Sequence, residues 1–243
     1  IGLEFSKILA KKGYNLVLVA RRTDRLEKLK QEILLTEKVD IQLVSMDLSE
    51  KEAPEQLFSF TQKNNLSIAV LINNAGFGTN GEFFSIPIER TMEMLQLNMI
   101  TLTHLTYLFG KEMKKNNNGY ILQVASIGAF QPSPFVSAYS ATKAYVMLFG
   151  EGLDFELKGT NVSVTTLYPG ATRTEFFEVS DTKISSIIEN SMTSAEQVAN
   201  IALNAMFNRQ RTIVPGIMNK LTAFLAHLMP RKLVTWSAAK LMQ

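Results

Sequence analysis

"IAVLINNAG", residues 68–76, is an apolar run of strand length that ends in small polar residues and leads into a long segment of helical period. The same unit recurs on both sides of it. Upstream lie "NLVLVA" at 15–20 and "IQLVSM" at 41–46; downstream lie "GYILQVAS" at 119–126, "NVSVTTLYPG" at 161–170 and "RTIVPG" at 211–216. The stretches between them, among them "TDRLEKLKQEILL", "PIERTMEMLQLNMITLTHLTYLFGKEMKK" and "SAEQVANIALNAMF", carry apolar residues at intervals of three and four, the spacing of one helical face. Each reads as a single helix long enough to cross over between neighbouring strands. Alternation of this kind predicts an α/β fold: a doubly wound, mostly parallel sheet with helices on both faces, in three layers.

Composition narrows the function. At 243 residues and 46% hydrophobic content the chain can bury a large core, so residues 1–243 are read as one domain. Net charge is +3, and the basic residues are scattered rather than interleaved with aromatics, which argues against nucleic acid as a partner. There is no Cys, and the only imidazoles, His104 and His227, have no second ligand at turn or helix spacing, so no metal site is expected. With no apolar run of spanning length either, the expected location is cytoplasmic. Residues 217–243 read as a C-terminal extension of two amphipathic helices split at Pro230. Packing on the protein or on a partner subunit is favoured there over contact with an anionic membrane.

In an open parallel sheet the ligand lies beyond the carboxyl ends of the strands. Those ends carry Arg21 and Arg22, Asp47, Asn73 to Gly76, Ser126, and Pro169 to Thr174. Any one of them alone is ordinary turn chemistry; together they call for a ligand. "YSATK" at 139–143 adds a Tyr and a Lys at i and i+4, one above the other on a helix face. A free phenol titrates near pH ~10, and a neighbouring ammonium favours its ionised form. Ser126 closes a strand where its hydroxyl could bind the same substrate oxygen. Two hydroxyls on one carbonyl would polarise it and stabilise the oxyanion as hydride arrives.

"LINNAGFG", "LNMI" with Asn98, Ser126, "YSATK" and "YPGATRTEF" fall in the order and spacing of one family. The chain resembles the short-chain dehydrogenase/reductases over essentially its whole length, which implies a Rossmann-type domain and an oxidoreductase. The resemblance implies that Tyr139 gives or takes the proton, that Lys143 lowers its pKa and binds the nicotinamide ribose, and that Ser126 positions the substrate. It implies that Asn98 holds a water linking Lys143 to solvent; read alone, Asn98 is equally a residue bonding nearby backbone. Gly2, Asn74, Ala75 and Gly76 match cofactor-binding segments, as does Asp47, which is equally a plain helix N-terminus. Pro169, Gly170, Thr172 and Thr174 match the loop over the nicotinamide. Residues 171–193 are the expected substrate lid.

At the position where NAD-dependent relatives commonly carry an acid for the ribose 2′-hydroxyl, this chain has Arg21 and Arg22. Guanidinium groups suit a 2′-phosphate, so NADP(H) is favoured over NAD(H), although two solvated arginines on a loop would look the same. Phe77, Phe130, Phe135 and Phe176 suggest an apolar carbonyl or alcohol substrate. A homodimer or homotetramer is expected through the helices containing Asn98 and Tyr139. "IGLEFSKILAKKG" looks like the end of a Gly-rich phosphate loop and its helix, so an additional N-terminal strand and loop are expected before Ile1. A second reading keeps the fold and the nucleotide but loses turnover, as a sensor or regulatory subunit.

Overall fold

The computed structural model of the chain describes residues 1–180 and 192–242. In chain order its elements are α1 (Gly2–Lys11), β1 (Leu16–Ala20), α2 (Thr23–Leu34), β2 (Ile41–Ser45), α3 (Ala53–Lys63), β3 (Val70–Asn73), α4 (Ile88–Leu95), α5 (Leu102–Lys115), β4 (Gly119–Val124), α6 (Ser137–Glu156) and β5 (Val162–Leu167). They continue with β6 (Thr172–Arg173), α7 (Phe176–Val179), β7 (Thr193–Ser194), α8 (Ala195–Phe207), β8 (Thr212–Ile213), α9 (Ile217–Leu228) and α10 (Arg231–Met242). All six expected strands form, every pairing is parallel, and helices flank the sheet. The short pair β6·β7, Thr172 opposite Thr193, was not legible in the sequence.

Alternation along each strand builds the two faces. Leu16 and Leu18 of β1 pack with α1, α2 and α8 around Phe5, Leu29 and Met206, while Val17 and Val19 turn to the opposite side with Leu57, Leu105 and Phe109 of α3 and α5. On β4, Leu122 and Val124 join the first cluster and Ile121 joins Met113 and Val164 on the second face. This is the doubly wound arrangement expected of strands buried on both sides.

The strands run as β2-β1 and as β3-β4-β5-β8. Among the described residues no ladder joins β1 to β3. A cavity of about 1580 Å³ is lined by every residue of both strands and continues to the carboxyl ends of the sheet. It exceeds the usual range of small-molecule pockets, roughly 300–1,000 Å³, because it merges this inter-strand slot with the site at the strand ends.

Residues 87–115, expected as one helix, are interrupted. A π-helical turn over Gln96–Thr101 separates α4 from α5, and such single wide turns recur at functional sites. Here it turns Asn98 inward, where its amide bonds the Phe77 backbone, and lets Thr101 Oγ1 donate to the Leu48 carbonyl at 2.7 Å.

The approach of α6 to β5 depends on a residue without a side chain. A Cβ built on Gly150 would overlap the Thr166 hydroxyl of β5. Gly150→Ala should therefore destabilise the protein by about 1–3 kcal/mol, the cost of an added methyl in a packed core. Thermal unfolding followed by circular dichroism would show a lowered midpoint; an unchanged midpoint would contradict this packing.

Candidate active site

The site is assembled where β4 ends. Beyond Val124 the chain enters a 3₁₀ turn, Ile127–Phe130, which Ser126 caps by accepting the Gly128 N–H at 3.1 Å. The Ile127 N–H donates to the Pro169 carbonyl beyond β5 at 3.1 Å, tying the two strand ends together. Helix α6 returns across this edge and carries Tyr139 and Lys143 one turn apart. Lys143 is buried; its Nζ donates to the Val124 carbonyl at 2.8 Å and lies 5.7 Å from the centre of the Tyr139 ring.

Burial governs both groups. It pushes the Tyr139 phenol up to about 12, with a hydrogen bond from Ser126 pulling the other way. It brings the Lys143 ammonium down to about 8. Taking a charge out of water disfavours the charged form of either group, and this outweighs the lowering of the phenol that the sequence reading expected from Lys143.

Asn98 braces this arrangement from behind. Its Oδ1 accepts the Phe77 N–H at 3.2 Å, and its Nδ2 donates to the Phe77 carbonyl at 2.9 Å and to Thr142 Oγ1 at 3.1 Å. It bonds backbone 21 residues away rather than its own turn, and locks the loop after β3 to the residue preceding Lys143. A Cβ on Gly76 would lie 2.9 Å from Asn98 Oδ1 and 3.5 Å from Lys143 Nζ, so the backbone there must pass without a side chain. Gly2 is similarly close, at 2.7 Å from Asn74 Nδ2. Every expected site residue reaches the cavity wall except Asn98, which stands one layer deeper.

Around Arg21 and Arg22 the structure adds partners that sequence reasoning missed. Arg21 Nη1 lies 3.4 Å from Asp47 Oδ2 and 3.7 Å from Glu93 Oε1. Arg22 binds Glu175 Oε2 at 3.0 Å, and Arg25 of α2 binds Oε1 of the same carboxylate. Arg25 and Arg22 together hold the Glu175 carboxyl below its usual range. Asp47 is raised by burial but pulled further down by Ser49, whose N–H and hydroxyl donate to Oδ1 at 2.9 and 2.7 Å, and by Arg21. It closes a turn ahead of α3 rather than capping that helix. The i+3 spacing of Arg22 and Arg25 on the first turn of α2 was a readable signal; the pairing with Glu175, 153 positions from Arg22, was not.

Beyond β5, Thr172 Oγ1 donates to the Gly170 carbonyl at 3.0 Å, and Thr174 Oγ1 accepts the Phe176 N–H at 3.3 Å. Of the four phenylalanines, Phe77 and Phe176 line the cavity, with the Phe176 ring 5.3 Å from that of Tyr139. The other two do not belong to its wall. Phe130 packs on Tyr168 and His227, and Phe135 sits at φ 67 with its carbonyl accepting the Gly81 N–H. Residues 181–191 of the expected lid lie outside the described residues.

The family description "short chain dehydrogenase" matches residues 1–185. A 7beta-hydroxysteroid dehydrogenase of Mediterraneibacter gnavus is 29% identical over 174 residues, covering 72% of this chain and 65% of its own length. Human 17-beta-hydroxysteroid dehydrogenase type 3 is 30% identical over 187 residues, covering 76% of this chain and 59% of its own. The match thus spans less than two thirds of either relative. Among solved structures, a short-chain dehydrogenase from Sphingobium yanoikuyae in complex with NADPH superposes with a TM-score of 0.82 at 26% identity, over 94% of this chain and 90% of that one. Fold, order of motifs and matched length agree, and the chain belongs to the short-chain dehydrogenase family.

Proposed function

We propose that this protein is an NADP(H)-dependent oxidoreductase that interconverts a carbonyl and an alcohol, with Tyr139 as the proton-transferring group. One observation carries the reading: Ser126, Tyr139 and a buried, oriented Lys143 meet on the wall of a single cavity at the carboxyl edge of the sheet. A nucleotide sensor has no need of that convergence. The bound dinucleotide would supply or accept the hydride. Gly2 would lie at its pyrophosphate, Asn74 to Gly76 and Asp47 would hold its adenosine half, Lys143 its nicotinamide ribose, and Pro169, Gly170, Thr172 and Thr174 its nicotinamide end. The close backbone approaches at Gly2 and Gly76 fit such a ligand.

In the reducing direction the hydroxyls of Ser126 and Tyr139 donate hydrogen bonds to the carbonyl oxygen. As charge develops there, the phenol releases its proton to it and becomes phenolate. The Lys143 ammonium, held on the Val124 carbonyl, stabilises that anion and returns a proton. An ammonium brought down to about 8 by burial is a better acid than an exposed one. Asn98, through Thr142 and the Phe77 backbone, positions this turn; a water linking Lys143 to solvent belongs to the same proposal.

The substrate we infer is large and apolar. Phe77 and Phe176 furnish apolar walls near Tyr139, and relatives are named for hydroxysteroids and very-long-chain 3-oxoacyl-CoA. We also read the outward Ile100, Tyr107, Leu148 and Phe155 on the π turn, α5 and α6 as the face through which subunits pair.

NADP(H) is supported by three guanidinium groups at the adenosine end, each now held by carboxylates. Exposed ion pairs of this kind contribute about 0–1 kcal/mol, whereas charge-assisted bonds to a phosphate are worth roughly 1.5–3 kcal/mol each. A 2′-phosphate should therefore displace Glu175.

NADPH consumption with steroid ketones and 3-oxoacyl thioesters tests the reading: oxidation matched by alcohol formation is expected, and binding without consumption would favour a sensor. For the cofactor, Arg21→Ala with Arg22→Ala should weaken NADPH binding by about ten- to a hundredfold and NADH binding far less. Equal losses for both would show a purely structural pair. The pH profile follows from the two shifts. Below about 8 Lys143 is charged and Tyr139 protonated, the combination that donates; as pH rises through 8 the ammonium is lost while the phenol, at about 12, keeps its proton. Reduction should fall through that interval, and a profile flat from neutral to strongly alkaline pH would contradict the assignment.

A further inference from the structure

Helix α9 is turned inside out. Ile217, Met218, Leu221, Phe224, Leu225 and Leu228 follow the three-and-four spacing of one helical face, and all six are exposed, Ile217 by 83% and Phe224 by 60%. The residues directed inward are small or polar: Asn219, Ala223 and Ala226. Asn219 donates to the Pro215 carbonyl at 2.7 Å, and Asn219 and Thr222 reach the wall of the cavity. In α10, Val234 and Ala238 are buried, while Leu233 and Trp236, exposed by 51% and 59%, point out. A helix packed for a soluble surface shows the opposite arrangement. The sequence reading favoured packing of this extension on the protein or on a partner subunit; the structure faces its apolar stripe away from the protein.

Charge singles out the occupant. After Glu196 the sequence has no Asp or Glu and six Lys or Arg, so this tail carries +6 while the remainder, with a total of +3, carries −3. Arg209 stacks on Tyr120 and Arg211 pairs with Glu151. Lys220, Arg231, Lys232 and Lys240 remain, and among the described residues none of the four meets a carboxylate. Lys240 Nζ lies 4.0 Å from the centre of the Trp236 ring. Trp beside basic side chains suits the headgroup level, where the ring is half immersed and the long cation reaches back to water. No helix among the described residues is long and apolar enough to cross a membrane.

We infer that α9 and α10 dock the protein on an anionic lipid surface, with the six-residue stripe of α9 and Trp236 in the acyl boundary and the four cations at the headgroups. The inner side of α9 lines the cavity, so docking sets the site against the lipid from which an apolar substrate would come. That last clause rests on the proposed function; the docking itself does not.

The test is flotation of the whole protein with vesicles of phosphatidylcholine alone and with added phosphatidylserine, which reads binding independently of turnover. Binding to the anionic vesicles at low salt, weakened by high salt, is expected. Lys220→Gln with Lys232→Gln should weaken it by on the order of twentyfold, at about fivefold per charge removed. Phe224→Ser with Leu228→Ser, at exposed positions where folding is spared, should abolish it at an unchanged melting temperature. No flotation with either vesicle would overturn the inference, as would equal binding to both. So would a dimer that these serine substitutions dissociate while vesicle binding is absent, since the stripe would then be covered by a second copy.

Discussion

The burial of one ammonium organises the site. Lys143 is withdrawn from water at the end of β4, and an unpartnered cation there would cost several kcal/mol. The Val124 carbonyl accepts from it at 2.8 Å. That bond fixes the rotation of α6 against the sheet, and the rotation in turn sets Tyr139 opposite Ser126. The same desolvation that lowers Lys143 to about 8 raises Tyr139 to about 12. The pair is thereby poised to hold both protons near neutral pH.

Behind this edge the polar groups are bonded in layers. Asn73 Nδ2 donates to Thr106 Oγ1 and Gln123 Oε1, and Gln123 Nε2 donates to Thr106, which closes β3 and β4 onto α5. Asn98 then links the loop after β3 to α6. Buried polar groups satisfied in this way favour one arrangement over near alternatives. The cavity floor is correspondingly fixed by side chains of which Asn98, Thr106 and Gln123 stand behind its wall.

Much of this was legible in the sequence. Apolar runs of strand length separated by helical periods can scarcely be satisfied except by a parallel sheet covered on both sides, and the residues ending those strands had to converge. Tyr139 and Lys143 were found because helical spacing is local. What escaped depends on distance or direction. Glu175 reaches Arg22 and Arg25 across the site, the π turn at Asn98 is imposed by a tertiary bond to Phe77, and Phe130 and Phe135 are drawn from the cavity by His227, Tyr168 and a strained turn. The period of α9 announced an apolar stripe, but no period says which way a stripe faces.

The central claim is that the Tyr139 hydroxyl moves the proton. Single-turnover reduction of a ketone by Tyr139→Phe, with NADPH affinity measured alongside, addresses it most directly, since the substitution keeps the ring against Phe176 and deletes only the donor. The account predicts a rate lower by on the order of a hundredfold or more at a cofactor affinity changed little. Turnover close to that of the unaltered protein would contradict it.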